Sequence, residues 1–271
     1  MADFTALRAA FRKLHESGCF VMPNPWDIGS ALYLRQLGFR ALASTSSGFA
    51  WTRGLADGAA PRDSVLGHLA DLVRTTELPI NADFEHGYAH DPDGVAQNVR
   101  LCVATGVAGL SIEDSTGDDA RPLFDFSLAV ERIKAAREAI GSSGVLLTAR
   151  AECFLVKHPQ ALDESIRRLQ AYSAAGADVL YAPGPQDPET IKALVAAVAP
   201  KPFNMLVFSK GLRVTDVAAL GVRRISTGGA LARSAWTGFA QAAKRIAESG
   251  DFSAFEHLMA GVELNDLFSP K

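Results

Sequence analysis

The sequence predicts an α/β protein, a (β/α)8 TIM barrel with an extra helix at each end. Eight short runs rich in Val, Ile and Leu alternate with longer stretches of helical periodicity. The chain has 271 residues, and barrels of about 250 residues are commonly single domains. Because no linker or shift in composition divides the chain, we expect one barrel domain over residues 1–271.

The eight apolar runs are expected to be parallel strands, because they are apolar on both faces rather than alternating. They are Cys19–Met22, Ala41–Ser44, Leu78–Ala82, Gly109–Ile112, Gly144–Thr148, Asp178–Tyr181, Pro202–Leu206 and Arg223–Ser226. Strands that alternate with helices form a parallel sheet with right-handed crossovers. Eight repeats in a chain of this length favour a closed barrel over an open, doubly wound sheet.

The segments between the strands carry signals for helix starts and ends. Aspartates that can cap a helix N-terminus stand at Asp27, Asp91 and Asp187, and the last two precede proline. Glycines that suit a helix C-terminus stand before the next strand at Gly38, Gly106, Gly176 and Gly221. The additional helices are predicted over Phe4–Glu16 and Phe252–Leu267.

Composition excludes several classes of function. A formal net charge of −3 and a pI near 6.1 give no reason to expect a nucleic acid or an anionic membrane as partner. No apolar run approaches the roughly 20 residues that span a bilayer, and the N-terminus lacks the pattern of a signal peptide. The three cysteines lack metal-binding spacing. We therefore expect a cytoplasmic protein with reduced thiols.

Acidic side chains and one arginine gather where the predicted strands end, which is where barrels place their chemistry. Asp57 follows the second strand, Asp83 and Glu85 follow the third, Glu113 ends the fourth and Arg150 ends the fifth. Oxygen ligands with few histidines favour Mg²⁺, with Mn²⁺ as the alternative. We expect Asp83 to bind the metal directly and the other three acids to act mainly through water. The alternative is that these are ordinary cap and salt-bridge residues.

Two segments of small residues are candidates for binding an anionic substrate. Ser44–Gly48 follows the second strand, and its N–H and hydroxyl groups could hold a carboxylate. Ser226–Gly229 opens a predicted helix over Ala230–Ala247, and a glycine pair at a helix start after the last strand is typical of barrel anion sites. Plain turns are the alternative at both places.

Three motifs together resemble the isocitrate lyase/phosphoenolpyruvate mutase superfamily. They are Asn81–Asp83, Gly106–Asp114 and Ala149–Glu152, within a resemblance that runs from about Phe20 to Asn204. The superfamily implies a Mg²⁺-dependent (β/α)8 enzyme. Its members make or break C–C or P–C bonds next to a 2-oxo acid, through an enolate that the metal stabilises.

The resemblance implies a role for each matching residue. Asp83 matches a metal-site aspartate, Asp57 a water-mediated metal ligand and Glu113 the metal-site glutamate. Arg150 matches the arginine that contacts the second acidic group of the substrate. The substrate carboxylate would be bound at Thr45, Ser46 and Ser47, with Asn204 and Gly228 as further expected substrate contacts.

The sequence departs from the superfamily pattern in three places. Lyases carry a Lys-Cys-Gly-His loop after the fourth strand, but residues 115–124 contain neither Cys nor His. Asn81 replaces the leading aspartate of the metal motif, so Glu85 is the candidate to balance the metal charge. Ala182–Gly184 replaces a glutamate after the sixth strand. These departures indicate a divergent subgroup.

The predicted function is therefore cleavage of a C–C bond in a small 2-oxo (di)carboxylic acid, by a lyase or an oxaloacetate-type decarboxylase. Arg150, Glu85 and Glu113 are the predicted catalytic residues, and the base, where one is needed, would be Glu85, Glu152 or His86. P–C bond chemistry on a phosphonopyruvate-like acid is an alternative. Others are non-catalytic binding of an acid such as 2-oxoglutarate and a metal-free barrel with structural acids.

The resemblance also implies a homo-oligomer, a dimer or a tetramer. The apolar C-terminal segment could pack on a neighbouring subunit or cover its own barrel.

Overall fold

The computed structural model describes residues 3–208 and 210–269, and eight parallel strands form its central sheet. The strands are β1 Phe20–Met22, β2 Leu42–Ala43, β3 Ile80–Asp83, β4 Gly109–Glu113, β5 Leu146–Arg150, β6 Val179–Tyr181, β7 Phe203–Leu206 and β8 Arg224–Ser226. Their order is β1-β8-β7-β6-β5-β4-β3-β2. All eight predicted strands are confirmed, and each end lies within two residues of the expected one.

A few hydrogen bonds between the ends of β1 and β2 close the barrel. Ala43 N donates to Pro23 O at 3.1 Å, and Asn24 Nδ2 donates to Ser44 O at 2.8 Å. The other seven neighbouring pairs are joined by regular parallel ladders. The closed parallel sheet with helices between its strands confirms the predicted (β/α)8 TIM barrel.

Helices surround the sheet in the expected alternation. They are α1 Phe4–Leu14, α2 Ile28–Gln36, α3 Ser46–Thr52, α4 Arg62–Thr76, α5 Pro92–Ala104, α6 Phe126–Ile140, α7 Ala161–Ala174, α8 Pro188–Val198, α9 Val214–Ala219, α10 Ala230–Ser249 and α11 Gly261–Phe268. The predicted caps are confirmed, because the Asp27, Asp91 and Asp187 carboxylates each accept a backbone N–H three residues further on. The four predicted terminal glycines adopt the left-handed conformation that favours glycine.

The additional N-terminal helix packs against the amino-terminal end of the barrel. Phe11 of α1 is fully buried in a cluster with Phe20 and Leu146, the first residues of β1 and β5. Arg8 donates to three backbone carbonyl oxygens, those of Val103, Val107 and Ser143. This end of the barrel is therefore covered, which leaves the carboxyl ends of the strands for a site.

The predicted C-terminal helix over Phe252–Leu267 is wrong as a single element. A 3-10 turn covers Ser253–Phe255, and α11 begins only at Gly261. Ala260 is extended, with ψ 141°, and a glycine at the next position favours a break over a continuous helix. Part of the segment packs on its own barrel, since Gln36 Nε2 of α2 donates to Leu267 O.

Within the described residues, no helix combines the length and the apolar character needed to cross a lipid bilayer.

Candidate active site

A cavity of about 190 Å³ opens at the carboxyl ends of the barrel strands. Most of the predicted site residues line it, namely Thr45, Ser46, Ser47, Asp57, Asp83, Arg150, Asn204 and Gly228. Glu85 and Glu113 are not among its lining residues, although their charges act on the same groups. The volume suits a small acid and is below the range of about 300–1,000 Å³ that drug-sized ligands occupy.

Asp83, the last residue of β3, is held from two sides. Its Oδ1 accepts from Arg150 Nη1 at 2.9 Å, and its Oδ2 accepts from the backbone N–H of Ser46 at 2.9 Å. Its own backbone N–H donates to Ser44 Oγ at 2.8 Å. The carboxylate is therefore fixed in one orientation by β5 and by the start of α3.

Arg150, at the end of β5, is surrounded by three carboxylates. Besides Asp83, its Nη1 lies 3.2 Å from Glu113 Oε2, and its Nε donates to Glu152 Oε1 at 2.8 Å. Burial alone would lower the pKa of Arg150, but these three charges raise it well above its ordinary value. Among the described residues none accepts a hydrogen bond from Nη2, so this nitrogen is available to a ligand.

The other two predicted metal-site acids, Glu85 and Glu113, flank the cavity. Burial raises the pKa of Glu85 to about 7, and the Tyr88 hydroxyl, which donates to Glu85 Oε1 at 2.9 Å, opposes that rise. Burial likewise raises the pKa of Glu113 well above its ordinary value, against the lowering effect of Arg150. The Glu85 carboxyl can therefore hold a proton near neutral pH.

The donor set fits a divalent cation that keeps most of its water. Asp57 and Asp83 face the same cavity, and burial followed by the charge of Asp83 raises the pKa of Asp57. A cation would relieve this repulsion between the two acids. No group of three or more His, Cys, Asp or Glu residues in the described part of the chain is close enough to hold an ion alone. Mg²⁺ commonly takes one or two carboxylates and several waters.

In the two predicted anion-binding segments, several hydrogen-bonding groups already bind other groups of the protein. Thr45 caps α3, and the Ser46 N–H is bonded to Asp83. The N–H groups of Thr227 and Gly228 both donate to Asn24 Oδ1 at 2.9 Å. Sequence reasoning missed Asn24, although it is a polar residue just after β1 and so stands where barrel sites form.

A second group lies behind the cavity and is built around Asp114, whose partners Arg168 and Tyr172 sequence reasoning missed. Its Oδ1 accepts from the backbone N–H of Glu152 at 2.8 Å. Its Oδ2 accepts from Arg168 Nη1 at 3.0 Å and from the Tyr172 hydroxyl at 2.6 Å. Asp114 thus turns away from the cavity and fixes the backbone of Glu152, which in turn contacts Arg150.

His86 lies outside the cavity lining. Burial, followed by the charge of Arg132, lowers its pKa to about 4. Arg132 donates to the backbone carbonyl oxygens of His86, Ala89 and His90 and so fixes the loop after β3. The candidate base His86 is therefore neutral near pH 7 and belongs to this loop rather than to the cavity wall.

Comparison with known proteins gives consistent results. The family model for phosphoenolpyruvate phosphomutase matches residues 11–247. A candidate lyase/mutase structure from Burkholderia cenocepacia J2315 superposes with a TM-score of 0.94 and 43% identity, covering 98% of both chains. An oxaloacetate decarboxylase from Pseudomonas putida (strain GB-1) is 32% identical over 245 residues, 84% of this chain and 80% of that protein. The structure of oxaloacetate acetylhydrolase with its product oxalate is 25% identical, with a TM-score of 0.86, over 98% of this chain and 95% of that one.

Proposed function

This chain belongs to the phosphoenolpyruvate phosphomutase family, in the isocitrate lyase/phosphoenolpyruvate mutase superfamily of lyases and mutases, and we propose that it cleaves a C–C bond in a small 2-oxo dicarboxylic acid. The observation that carries the proposal is the cavity of about 190 Å³ that brings together Asp57, Asp83 and Arg150. Two acids can hold a cation there, and the arginine can hold an acidic group of the substrate.

Decarboxylation of an oxaloacetate-type acid is the reaction that the chain supports best. The loop over residues 115–124 offers neither Cys nor His for proton transfer at a hydroxyl group. Loss of CO₂ from a 2-oxo diacid needs no base, because the departing carboxylate is already ionised. The oxaloacetate decarboxylase from Pseudomonas putida, similar over 84% of this chain, supports the same choice.

The cation would be held by Asp83 and Asp57, with Glu85 and Glu113 acting through water. A bound divalent cation polarises the keto oxygen of a 2-oxo acid and stabilises negative charge that develops there. Arg150 would orient the distal carboxylate through Nη2, while its three carboxylate partners keep the guanidinium fixed. Glu85, with a pKa of about 7, would carry a proton on its carboxyl group and donate it to C3 of the substrate after CO₂ leaves.

The test is turnover of purified protein with Mg²⁺ or Mn²⁺ and a panel of oxaloacetate, 2-methylisocitrate and phosphonopyruvate. We expect pyruvate and CO₂ from oxaloacetate above the metal-catalysed background. The Asp83→Ala variant should lose the activity, whereas Asp63→Ala, which removes a carboxylate with 79% of its side chain exposed, should keep it.

Other results would overturn the proposal in distinct ways. Metal-dependent binding of a 2-oxo acid without turnover would indicate a binding protein. Turnover of phosphonopyruvate alone would indicate P–C chemistry. Full activity in Asp83→Ala, or after removal of divalent metal with EDTA, would contradict the assignment of the metal site.

We also propose that residues 1–271 form one barrel domain. Residues 1, 2, 209, 270 and 271 lie outside the described part of the chain.

We further propose that the protein is a homo-oligomer, because α10 and the segment after it expose many large apolar side chains. These are Trp236, Phe239, Phe252, Phe255, Leu258, Met259, Val262, Leu264 and Phe268. Monomeric proteins rarely expose apolar patches beyond a few hundred Å².

A further inference from the structure

Arg224, the first residue of β8, is a buried cation at the bottom of the cavity. Arg224 is 2% exposed, and it is one of the residues that line the cavity. Arg224 precedes Ser226, the last residue of β8, by two positions, which places it about 6–7 Å below the strand end. Its neighbours across the sheet are Phe20 of β1 and Asn204 of β7.

All side-chain contacts of Arg224 in the described part of the chain are with neutral groups. Nε donates to Asn204 Oδ1 at 2.7 Å, and Nη2 donates to Thr148 Oγ1 at 3.0 Å. Nη1 makes only two long contacts, 3.5 Å to Asn81 Oδ1 and 3.4 Å to His15 Nε2. Burial, followed by the charge of Arg224, lowers the pKa of His15 to about 3, so His15 is uncharged near pH 7.

Arg150 and Arg168 differ from Arg224 in their partners. Arg150 has three carboxylate partners, and Arg168 is paired with Asp114 and Glu164. No carboxylate oxygen of the described residues lies within 4.0 Å of the Arg224 guanidinium. A buried charge is unfavourable unless it is paired. Arg224 therefore lacks a counter-ion, and the cavity beside it is the place from which one can come.

We propose that the counter-ion of Arg224 is the anionic ligand itself, so that Arg224 forms an anion subsite at the bottom of the cavity. The ligand class is a small carboxylate dianion, such as a 2-oxo diacid or the enolate formed from it. One carboxylate oxygen accepts from the guanidinium, whose Nη1 makes only long contacts with the described residues. The inference rests on the proposed function for the identity of the ligand, but Arg224 is a binding residue additional to Arg150.

The alternative is that Arg224 only ties β8 to β5 and β7. That role depends on the geometry of the guanidinium, because Asn204 and Thr148 accept from two different nitrogens. The subsite depends mainly on positive charge. Lysine keeps the charge and loses the fork of donors, whereas methionine keeps the approximate length and loses both.

The experiment is calorimetric titration of the full-length protein with oxalate in the presence of Mg²⁺. We expect Arg224→Met to weaken oxalate binding by about 30-fold or more, as for loss of one partner from a buried charge pair. Arg224→Lys should recover most of that loss. Arg74→Met, which removes an arginine with 77% of its side chain exposed, should bind as the wild type does.

A second variant covers the case in which Arg224→Met does not fold. Asn204→Asp is isosteric and supplies Arg224 with a carboxylate at the position of Asn204 Oδ1, 2.7 Å from Nε. Its thermal midpoint should be retained while oxalate binding falls at least about tenfold. Unchanged oxalate affinity in either folded variant would overturn the proposal, as would equal losses in the Met and Lys variants.

The two proposals fail in distinguishable ways. If the wild-type protein binds oxalate through Arg224 but turns over no 2-oxo acid, the reaction is wrong and the anion subsite stands. If it decarboxylates oxaloacetate and Arg224→Met binds oxalate as tightly as the wild type, only the subsite is wrong. If the wild type binds no oxalate but decarboxylates oxaloacetate, only the subsite is overturned. If it neither binds oxalate nor turns over a 2-oxo acid, both are overturned.

Discussion

Removal of the Tyr172 hydroxyl tests whether the group behind the cavity holds the site in place. The hydroxyl of this fully buried residue donates to Asp114 Oδ2 at 2.6 Å, and the other oxygen of Asp114 accepts from Glu152 N. In the Tyr172→Phe variant the ring can remain where it is while the bond is lost. Asp114 then keeps Arg168 and the Glu152 N–H as partners.

The size of the effect follows from the charge of the acceptor. A hydrogen bond to a charged group contributes about 1.5–3 kcal/mol to the free energy of unfolding. For a protein of this size, each kcal/mol shifts the thermal midpoint by about 2–4 °C. We therefore expect Tyr172→Phe to lower the midpoint by about 3–12 °C. Asp114→Asn should lower it further, because it removes one of the two carboxylate partners of the buried Arg168.

The assay is thermal unfolding followed by circular dichroism or calorimetry, with oxalate affinity measured on the same samples. Tyr33→Phe is the matched control, because its residue is 40% exposed and its hydroxyl donates to no described residue. The control should stay within about 1 °C of the wild type. A Tyr172→Phe midpoint as close to the wild type as the control, or a smaller effect for Asp114→Asn, would refute the reasoning.

Two further predictions concern acid stability and assembly. Burial lowers the pKa of His68 to about 4 in the folded protein, whereas it is about 6.5 in the unfolded chain. As the pH falls below about 6.5, the unfolded chain therefore takes up a proton before the folded protein does. The free energy of unfolding that neutral His68 maintains above this pH is lost towards pH 4, by up to about 1.4 kcal/mol per pH unit. Urea unfolding between pH 7.5 and pH 4.5 should therefore show a shallower dependence in His68→Phe, and an unchanged slope would contradict this. The exposed apolar surface of α10 should lie between subunits, so Phe239→Ser, at a residue 64% exposed, should shift sedimentation towards smaller species. A monomeric wild type would exclude this interface.

The barrel could be predicted from sequence because its signals are local. A buried strand, an N-cap and a terminal glycine each depend on a few consecutive residues, as at Asp91 and Gly106. The prediction failed at the C-terminal segment, where apolar residues continue without a fixed period. There the α-helix begins only at Gly261, and much of the apolar surface remains exposed instead of packing in one core.

The site could be predicted only as far as strand ends reveal it. Asp83 and Arg150 lie at strand ends, so the barrel rule alone brings them together. Asn24 contacts residues more than 200 positions away, and Tyr172 reaches Asp114 across 58 positions. The spacing of residues along the sequence does not reveal contacts over such distances in the chain. Arg224 carried no signal either, because an arginine within an apolar strand gives no indication of whether it is paired.

The distribution of charge separates two ends of the cavity. Asp57, Asp83 and the two flanking glutamates lie at its mouth around one arginine, whereas Arg224 lies below them among neutral groups. A cation at the mouth and an anion at the bottom would each relieve a charge that the protein leaves uncompensated. A ligand that joins both ends must therefore carry negative charge at the bottom and oxygen donors at the mouth. Because linkage between two bound species is reciprocal, the acid would strengthen the binding of the cation as much as the cation strengthens that of the acid.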